Sequence, residues 1–276
     1  MPSIRVMTFN VDGSSFPREG PNAWSRRQAL NVATILRHDP DLIGFQEVAE
    51  DNLAVYRQRL TEYDHVAGNA YGDNPPEEYT SIFWRAARLA LVASGQFWLS
   101  RTPDAPSRDW GVPYPMGVTW VRLRERETGV EFVHLNTHFE DGPDGATSRL
   151  EGSRLVVGQA AALQQGRLPA IMTGDFNDNP GSAAHRTFLD AGFVDAYLAA
   201  GNVDGAASTF HGFEGEGYDA RRYSGGRDTF WRVDWILARS ATRPIGTAAC
   251  RIVRDAEPPA YPSDHYPVLA ELQIIR

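Results

Sequence analysis

Lysine is absent from this chain: all 27 basic residues among its 276 are arginine. A lysine Schiff base and a P-loop lysine are thereby excluded, whereas forked guanidinium groups suited to phosphate are plentiful. Cysteine is almost absent. Cys250 stands alone, which excludes an intramolecular disulfide and a thiolate metal cluster. No stretch approaches the roughly 18 consecutive apolar residues of a membrane span. An apolar leader is also lacking, since Ile4-Arg5-Val6-Met7-Thr8-Phe9 alternates at once like a strand; this points to the cytoplasm and away from membranes. Positive charge is in deficit. A formal net charge of −8 disfavours tight non-specific binding to duplex nucleic acid, which depends on neutralising many phosphates. A locally basic cleft stays open.

What is present suffices for one large core. The chain is 42% hydrophobic and 11% aromatic, within the range of a single domain over 1–276. Strand patterns run over 4–11, 42–48, 78–85, 89–99, 118–124, 131–138, 169–174, 231–237, 245–253 and 268–274. The strands of 78–85 and 89–99 read as a pair joined by a turn. Helix patterns run over Trp24–Arg37, Asp51–Leu60 with Asp51 as cap, Arg149–Gln165 and Ser182–Ala191. In the first of these, Trp24, Leu30, Ala33, Ile35 and Leu36 face inward and Arg26-Arg27 outward. The proline-rich segment Ser100–Pro115 is long for a plain connection, which makes it a candidate substrate loop. With no internal repeat and no linker, this inventory fits two packed sheets flanked by helices.

Polar side chains recur where the apolar runs stop. Ile171-Met172-Thr173-Gly174 runs into Asp175-Phe176-Asn177. On an extended backbone Asp175 and Asn177 share a face and Phe176 takes the other. A carboxylate there can take a proton from water, and an amide can hydrogen-bond an oxygen that gains charge. The plainer reading is an Asx turn after a strand. Asn10, Glu47, His138, Asp234 and Asp264-His265 also stand at strand ends. Each alone reads as a turn residue, a surface carboxylate or a satisfied core histidine. Their recurrence favours a site built on rigid strand ends.

Thr8-Phe9-Asn10, Gln46-Glu47-Val48, Asn136-Thr137-His138, Gly174-Asp175-Phe176-Asn177, Arg232-Val233-Asp234-Trp235-Ile236 and Ser263-Asp264-His265-Tyr266-Pro267-Val268 come in the order of one known family. The chain resembles the endonuclease/exonuclease/phosphatase superfamily, the DNase I-like metal-dependent phosphoesterases, and within it the small bacterial members. The resemblance implies an α/β four-layer α/β/β/α sandwich of two mixed sheets flanked by helices. It implies Glu47 as the main ligand of Mg²⁺ or Mn²⁺, with Asn10 and Asp264 near or on the metal. It implies that Asp175 activates the attacking water and that Asn177 holds a phosphate oxygen. Asp234 would hold His265 against the scissile phosphate, and His138 would approach from the other side with Glu78 orienting it. Hard oxygen donors suit such a cation, and the chain supplies no soft alternative.

The motif run of inositol-polyphosphate phosphatases, a basic DNA-binding face and a membrane-inserting hairpin are not in evidence. The expectation is therefore a monomeric divalent-metal phosphoesterase acting on a small or single-stranded phosphate ester. Trp98, Trp110, Tyr114, Phe139, Phe210 and Trp231 are candidates for an aromatic pocket wall. The alternative is a DNA or RNA nuclease using Arg26, Arg101, Arg108, Arg149, Arg154, Arg222 and Arg227. A non-catalytic binding protein on the same fold would require a missing catalytic group, and none is missing.

Overall fold

The computed structural model describes residues 3–275 except 16, 69, 72–77, 143–144, 205–206 and 221–231. The chain begins with β1 (Ser3–Asn10), α1 (Trp24–His38), β2 (Leu42–Gln46), α2 (Glu50–Arg59) and β3 (Tyr63–Val66). Next come β4 (Ala70–Tyr71), β5 (Glu78–Tyr79), β6 (Ile82–Arg85), β7 (Leu89–Trp98), β8 (Gly117–Glu125) and β9 (Glu131–His138). The remainder is α3 (Ala146–Gln164), β10 (Ala170–Asp175), α4 (Ala183–Asp190), β11 (Val194–Asp195), α5 (Ala196–Ala199), β12 (Asp234–Arg239), β13 (Ile245–Ile252) and β14 (Val268–Ile274).

Two six-stranded sheets result, in the orders β13-β14-β1-β2-β6-β3 and β11-β12-β10-β9-β8-β7. Strand alternation explains the layers. Met7, Phe9, Ile43 and Phe45 face α1 and α2, where they meet Val32, Ile35, Leu53 and Tyr56. Their neighbours Ile4, Val6 and Leu42 face the second sheet and pack on Leu123, Phe132, Ile171 and Ile236. The second sheet turns Val133, Leu135, Met172 and Leu237 toward Val156 and Ala160 of α3 and Phe188 of α4. The architecture is the four-layer sandwich expected from the strand and helix pattern. No helix among the described residues is long and apolar enough to cross a membrane.

Each sheet holds one parallel pair among antiparallel neighbours: β1 with β2, and β9 with β10. Parallel strands end on the same side, so each pair delivers two carboxyl-terminal ends to one edge. Polar side chains tie the two sheets together just behind that edge. Asn136 Nδ2 donates to the carbonyls of Phe45 at 2.7 Å and Ser81 at 3.1 Å, and its Oδ1 accepts from Gln46 Nε2 at 2.7 Å and Thr173 Oγ1 at 2.9 Å. Gly44 permits this approach, since a Cβ there would stand 2.0 Å from Thr173 Oγ1.

Four sequence expectations are corrected. Arg27 is buried, at 1% exposure, whereas Ala33 and Leu36 face solvent. Its guanidinium replaces water with the carbonyls of Asn22, Val11 and Pro262, at 2.8, 2.7 and 3.0 Å. Ala49, not Asp51, caps α2; Asp51 lies in the first turn, and Asn52 accepts the Ala49 N–H at 2.8 Å. The strand read over 78–85 is two short strands, β5 and β6. Strands β6 and β7, though joined by a turn, pair in different sheets.

Buried histidines set an acid limit. His134 places Nε2 2.8 Å from Thr173 Oγ1 between the sheets, and burial pushes its pKa down to about 3. His211 is likewise pushed down to about 3, by burial first and the nearby His265 charge second. Unfolded, both rings titrate near 6.5. Their contribution is therefore complete above about pH 6.5 and is lost as pH falls toward 3, at roughly 1.4 kcal/mol per unit for each ring. Urea midpoints should fall between pH 7 and pH 4, and His134→Gln should flatten that slope by one ring's share. A pH-independent midpoint would contradict this assignment.

Candidate active site

The site forms where both parallel pairs end. In the first sheet Asn10 lies beside Gln46 in register, and the chain then turns at Glu47 with a left-handed φ of 56°. Such a conformation costs free energy in a non-glycine residue and is concentrated at functional sites. Gly13 makes it possible: a Cβ at that position would stand 1.9 Å from the Glu47 carbonyl oxygen. The loop after β1 thus closes over Glu47, and Asn10 Nδ2 donates to Glu47 Oε1 at 2.7 Å. In the second sheet Asp175 lies in register with His138 on one side and Asp234 on the other. The segment before β14 supplies Asp264 and His265, held where Ser263 Oγ donates to the Asn10 carbonyl at 2.8 Å.

Asp175 Oδ2 is the meeting point. Asn10 Nδ2 donates to it at 2.9 Å. His138 Nε2 and His265 Nε2 lie 3.6 and 3.7 Å away. His265 presents Nδ1 to Asp234 Oδ2 at 2.9 Å. Burial would lower the pKa of His265, but the charges of Asp234 and Asp175 outweigh it and hold the ring well above the usual histidine range. Asn177 does not share an extended face with Asp175. Strand β10 ends at Asp175, and Asn177 is left-handed with φ 47°. Its N–H donates to Asp175 Oδ1 at 2.9 Å, so the Asx turn and the polar pair coexist. The Asn177 amide donates to the Phe139 carbonyl at 2.8 Å and lies 3.1 Å from His138 Nε2.

Glu47 is enclosed, and its carboxyl is held well above the usual range by burial first, then by the charges of Glu78 and Asp264. Glu78 accepts the Ser15 hydroxyl and lies in the same cleft. His138 Nε2 has Glu47 Oε1 at 3.8 Å as a second carboxylate neighbour. Two sets of ligand atoms, from Glu47, His138 and Asp175 and from Asp175, Asp234 and His265, each lie within 4.8 Å of one another, close enough to hold a metal ion. The nine residues to which the resemblance gave catalytic or metal roles sit in or directly behind one cleft of about 370 Å³.

The walls differ from expectation in detail. Tyr114, Phe139 and Phe210 line the cleft. Trp98 packs in the fold, and Trp110 lines a small separate cavity with Leu99 and Val112. The loop 100–115 thus reaches the cleft through Tyr114. Trp231, Arg222 and Arg227 lie outside the described residues. Of the other arginines proposed for a nuclease, Arg101 and Arg154 pair with Asp109 and Glu151, while Arg149 donates to the Glu140 and Gly142 carbonyls. Among the described residues the guanidinium that lines the cleft is Arg18, unmarked in the sequence because it sits in a loop without periodicity. Asp12, Asp141 and Tyr218 also line the cleft and lack a periodic signal for the same reason.

Residues 7–265 match the model of the endonuclease/exonuclease/phosphatase family. An endonuclease/exonuclease/phosphatase from Bacteroides vulgatus superposes with a TM-score of 0.85 at 28% identity, covering 99% of this chain and all of that one. A mannosyl-6-phosphatase of Bacteroides thetaiotaomicron superposes with a TM-score of 0.81 at 27% identity, covering 98% and 99% of the two chains. The CCR4-Not complex 3'-5'-exoribonuclease subunit Ccr4 of Emericella nidulans is 22% identical over 233 residues, 63% of this chain and 34% of that protein. The chain spans about a third to about half of the length of the curated relatives it matches.

Proposed function

The chain belongs to the endonuclease/exonuclease/phosphatase family, and from that premise we propose that it hydrolyses a small phosphate ester by attack of an activated water, with Mg²⁺ or Mn²⁺ as cofactor. The observation that carries the reading is the convergence of both imidazole Nε2 atoms on Asp175 Oδ2 inside one acidic cleft. Asp175 takes the proton of the attacking water. His265, charged and oriented by Asp234, and His138, beside Asn177, flank the phosphate on two sides and offset its growing negative charge. Glu78 stays a positioning carboxylate in this scheme, near Glu47.

The cofactor would be held by Glu47, with Asn10 and Asp264 beside it. The residues fit such an ion: Glu47, Glu78 and Asp264 bring three carboxylates together, burial first and the two neighbouring charges second raise the Glu47 pKa, and a divalent cation would offset both with hard oxygen ligands. When bound, it supplies Lewis-acid neutralisation of phosphate charge.

Cleft charge favours a small substrate. Asp12, Glu47, Glu78, Asp141, Asp175 and Asp264 line it, against Arg18 as the one guanidinium among the described lining residues. A polyanionic strand would meet repulsion beyond the reaction centre, whereas a single ester group would not. The likeness to a mannosyl-6-phosphatase over nearly the whole chain supports a phosphorylated sugar or a molecule of that size. The nuclease reading draws on the exoribonuclease likeness, which is lower in identity and partial in length. The test is a panel of sugar phosphates, nucleotides, diesters and oligonucleotides with each metal. Turnover should be fastest on small monoesters. Cleavage confined to oligonucleotides would favour the nuclease, and no turnover on any ester would sink the hydrolase reading.

A further inference from the structure

Ser208-Thr209-Phe210-His211-Gly212 lies in a polar stretch with neither strand nor helix periodicity, yet it meets both halves of the Asp234–His265 pair. Thr209 is completely buried. Its Oγ1 accepts the N–H groups of Val233 at 3.0 Å and of Asp234 at 3.2 Å. Its carbonyl accepts the N–H of Tyr266 at 2.7 Å. Phe210 forms an isolated antiparallel bridge with His265 and sets its ring edge-on to the imidazole, 5.0 Å between centres. His211 and Gly212 then donate their N–H groups to the Asp264 carbonyl at 2.8 and 3.1 Å.

We infer that Thr209 is a positioning residue of this site, which fixes the contact between Asp234 and His265 by holding both backbones from one point. The inference rests on the phosphoester reading above and adds a residue that the sequence motifs do not contain. Asp234 and His265 are 31 residues apart and belong to different sheets: Asp234 opens β12 of the second, and His265 leads into β14 of the first. A 2.9 Å contact between them needs a fixed separation of the two backbones. Strand β11 reaches only Leu237 and Ala238 of β12, and the first N–H groups of β12 end on the Thr209 hydroxyl instead. Thr209, Val233 and Asp234 are at most 1% exposed, so water cannot replace that acceptor. Without it two buried donors lose their partner, and the start of β12 shifts with Asp234 on it. His265 then loses the carboxylate that holds Nδ1 and turns Nε2 toward Asp175. The carbonyl of the same threonine still grips Tyr266, so the two halves of the pair move apart instead of together.

The test compares Thr209→Val, which keeps the shape and removes the acceptor, with Thr209→Ser, which keeps the acceptor. Two readouts are taken on the Mg²⁺-containing protein: kcat and KM on the best ester, and the ¹⁵N signals of the His265 ring, identified by their absence from His265→Gln. Thr209→Val should lower kcat on the order of 10- to 100-fold, leave KM nearly unchanged and move the Nδ1 signal. Thr209→Ser should restore both. Val156→Ala, a cavity variant beneath the second sheet, controls for stability: assayed equally far below its melting temperature, it should keep the parental kcat. In an active enzyme, a parental kcat in Thr209→Val would overturn the assignment, and so would a rate loss that Val156→Ala matches or that Thr209→Ser fails to repair. An unchanged Nδ1 signal in Thr209→Val would overturn it in any case. Should Thr209→Val not fold, Thr209→Ala takes its place with the same outcomes. If the parent turns over no ester, yet the Nδ1 signal moves in Thr209→Val and returns in Thr209→Ser, the assignment stands and the hydrolase reading fails.

Discussion

Asp175→Asn is expected to fold like the parent and to lose on the order of 10²- to 10⁴-fold in kcat. The substitution keeps volume and one carbonyl-like oxygen. That oxygen can still accept the Asn177 N–H that Asp175 Oδ1 accepts now at 2.9 Å, so the turn after β10 survives. The other position becomes an NH₂ facing the Asn10 amide, 2.9 Å away, and both imidazoles. A base becomes a donor, and no neighbouring group replaces it: Asp234 is committed to His265, and Glu47 to Asn10. The lost hydrogen bond costs about 1–3 kcal/mol, partly offset because Asp175 and Asp234 no longer repel. Circular dichroism and the melting temperature check the fold, and steady-state kinetics check the rate. Near-parental turnover would reassign Asp175 to a structural role.

Chelation should reduce turnover to background, and Mg²⁺ or Mn²⁺ should restore it. A covalent route could in principle replace a metal-assisted one. Routes through lysine or a thiolate are closed: the chain has no lysine, and burial pushes the Cys250 thiol up to about 12, far from the thiolate needed for attack. An attacking water needs both a base and charge neutralisation. Glu47, whose carboxyl is raised by burial first and by the charges of Glu78 and Asp264 second, is the carboxylate a bound cation would stabilise most. The same ion should therefore stabilise the fold, by roughly 2.7 kcal/mol at a hundredfold excess over its dissociation constant. The melting temperature should rise with Mg²⁺ in the parent and respond far less in Glu47→Gln. Full activity in excess EDTA would sink the metal-assisted scheme.

The candidate site was legible where an apolar run stops at a polar residue, because a buried strand must end and its last side chain must emerge somewhere. Asn10, Glu47, His138 and Asp175 all carry that signal. Pairing was not legible, since nothing in an apolar run states which strand lies beside it. The turn between β6 and β7 is a good turn whether the chain returns to the same sheet or crosses to the other. Helical periodicity counts charge as outward and so places Arg27 in solvent. Its compensating carbonyl at Pro262 lies 235 residues away, beyond any local window. Alternation places Asn177 on the strand, whereas its left-handed backbone goes with the Asp175 side chain accepting its N–H, a local contact that alternation does not encode.

Strand order also sets a timetable for synthesis. The second sheet comes from the uninterrupted stretch between Leu89 and Arg239, but β1 waits for β14, whose partner strands are β1 and β13. On the ribosome, the Asn10 edge must stay open while more than two hundred further residues are made. Asp264 and His265 then arrive together with the strand that closes it. Nascent chains thus carry an exposed sheet edge through most of their elongation, a natural target for chaperones. Chains terminated before Asp264 lack His265 as well as the closing strand β14, so they are expected to be inactive in the panel of phosphate esters.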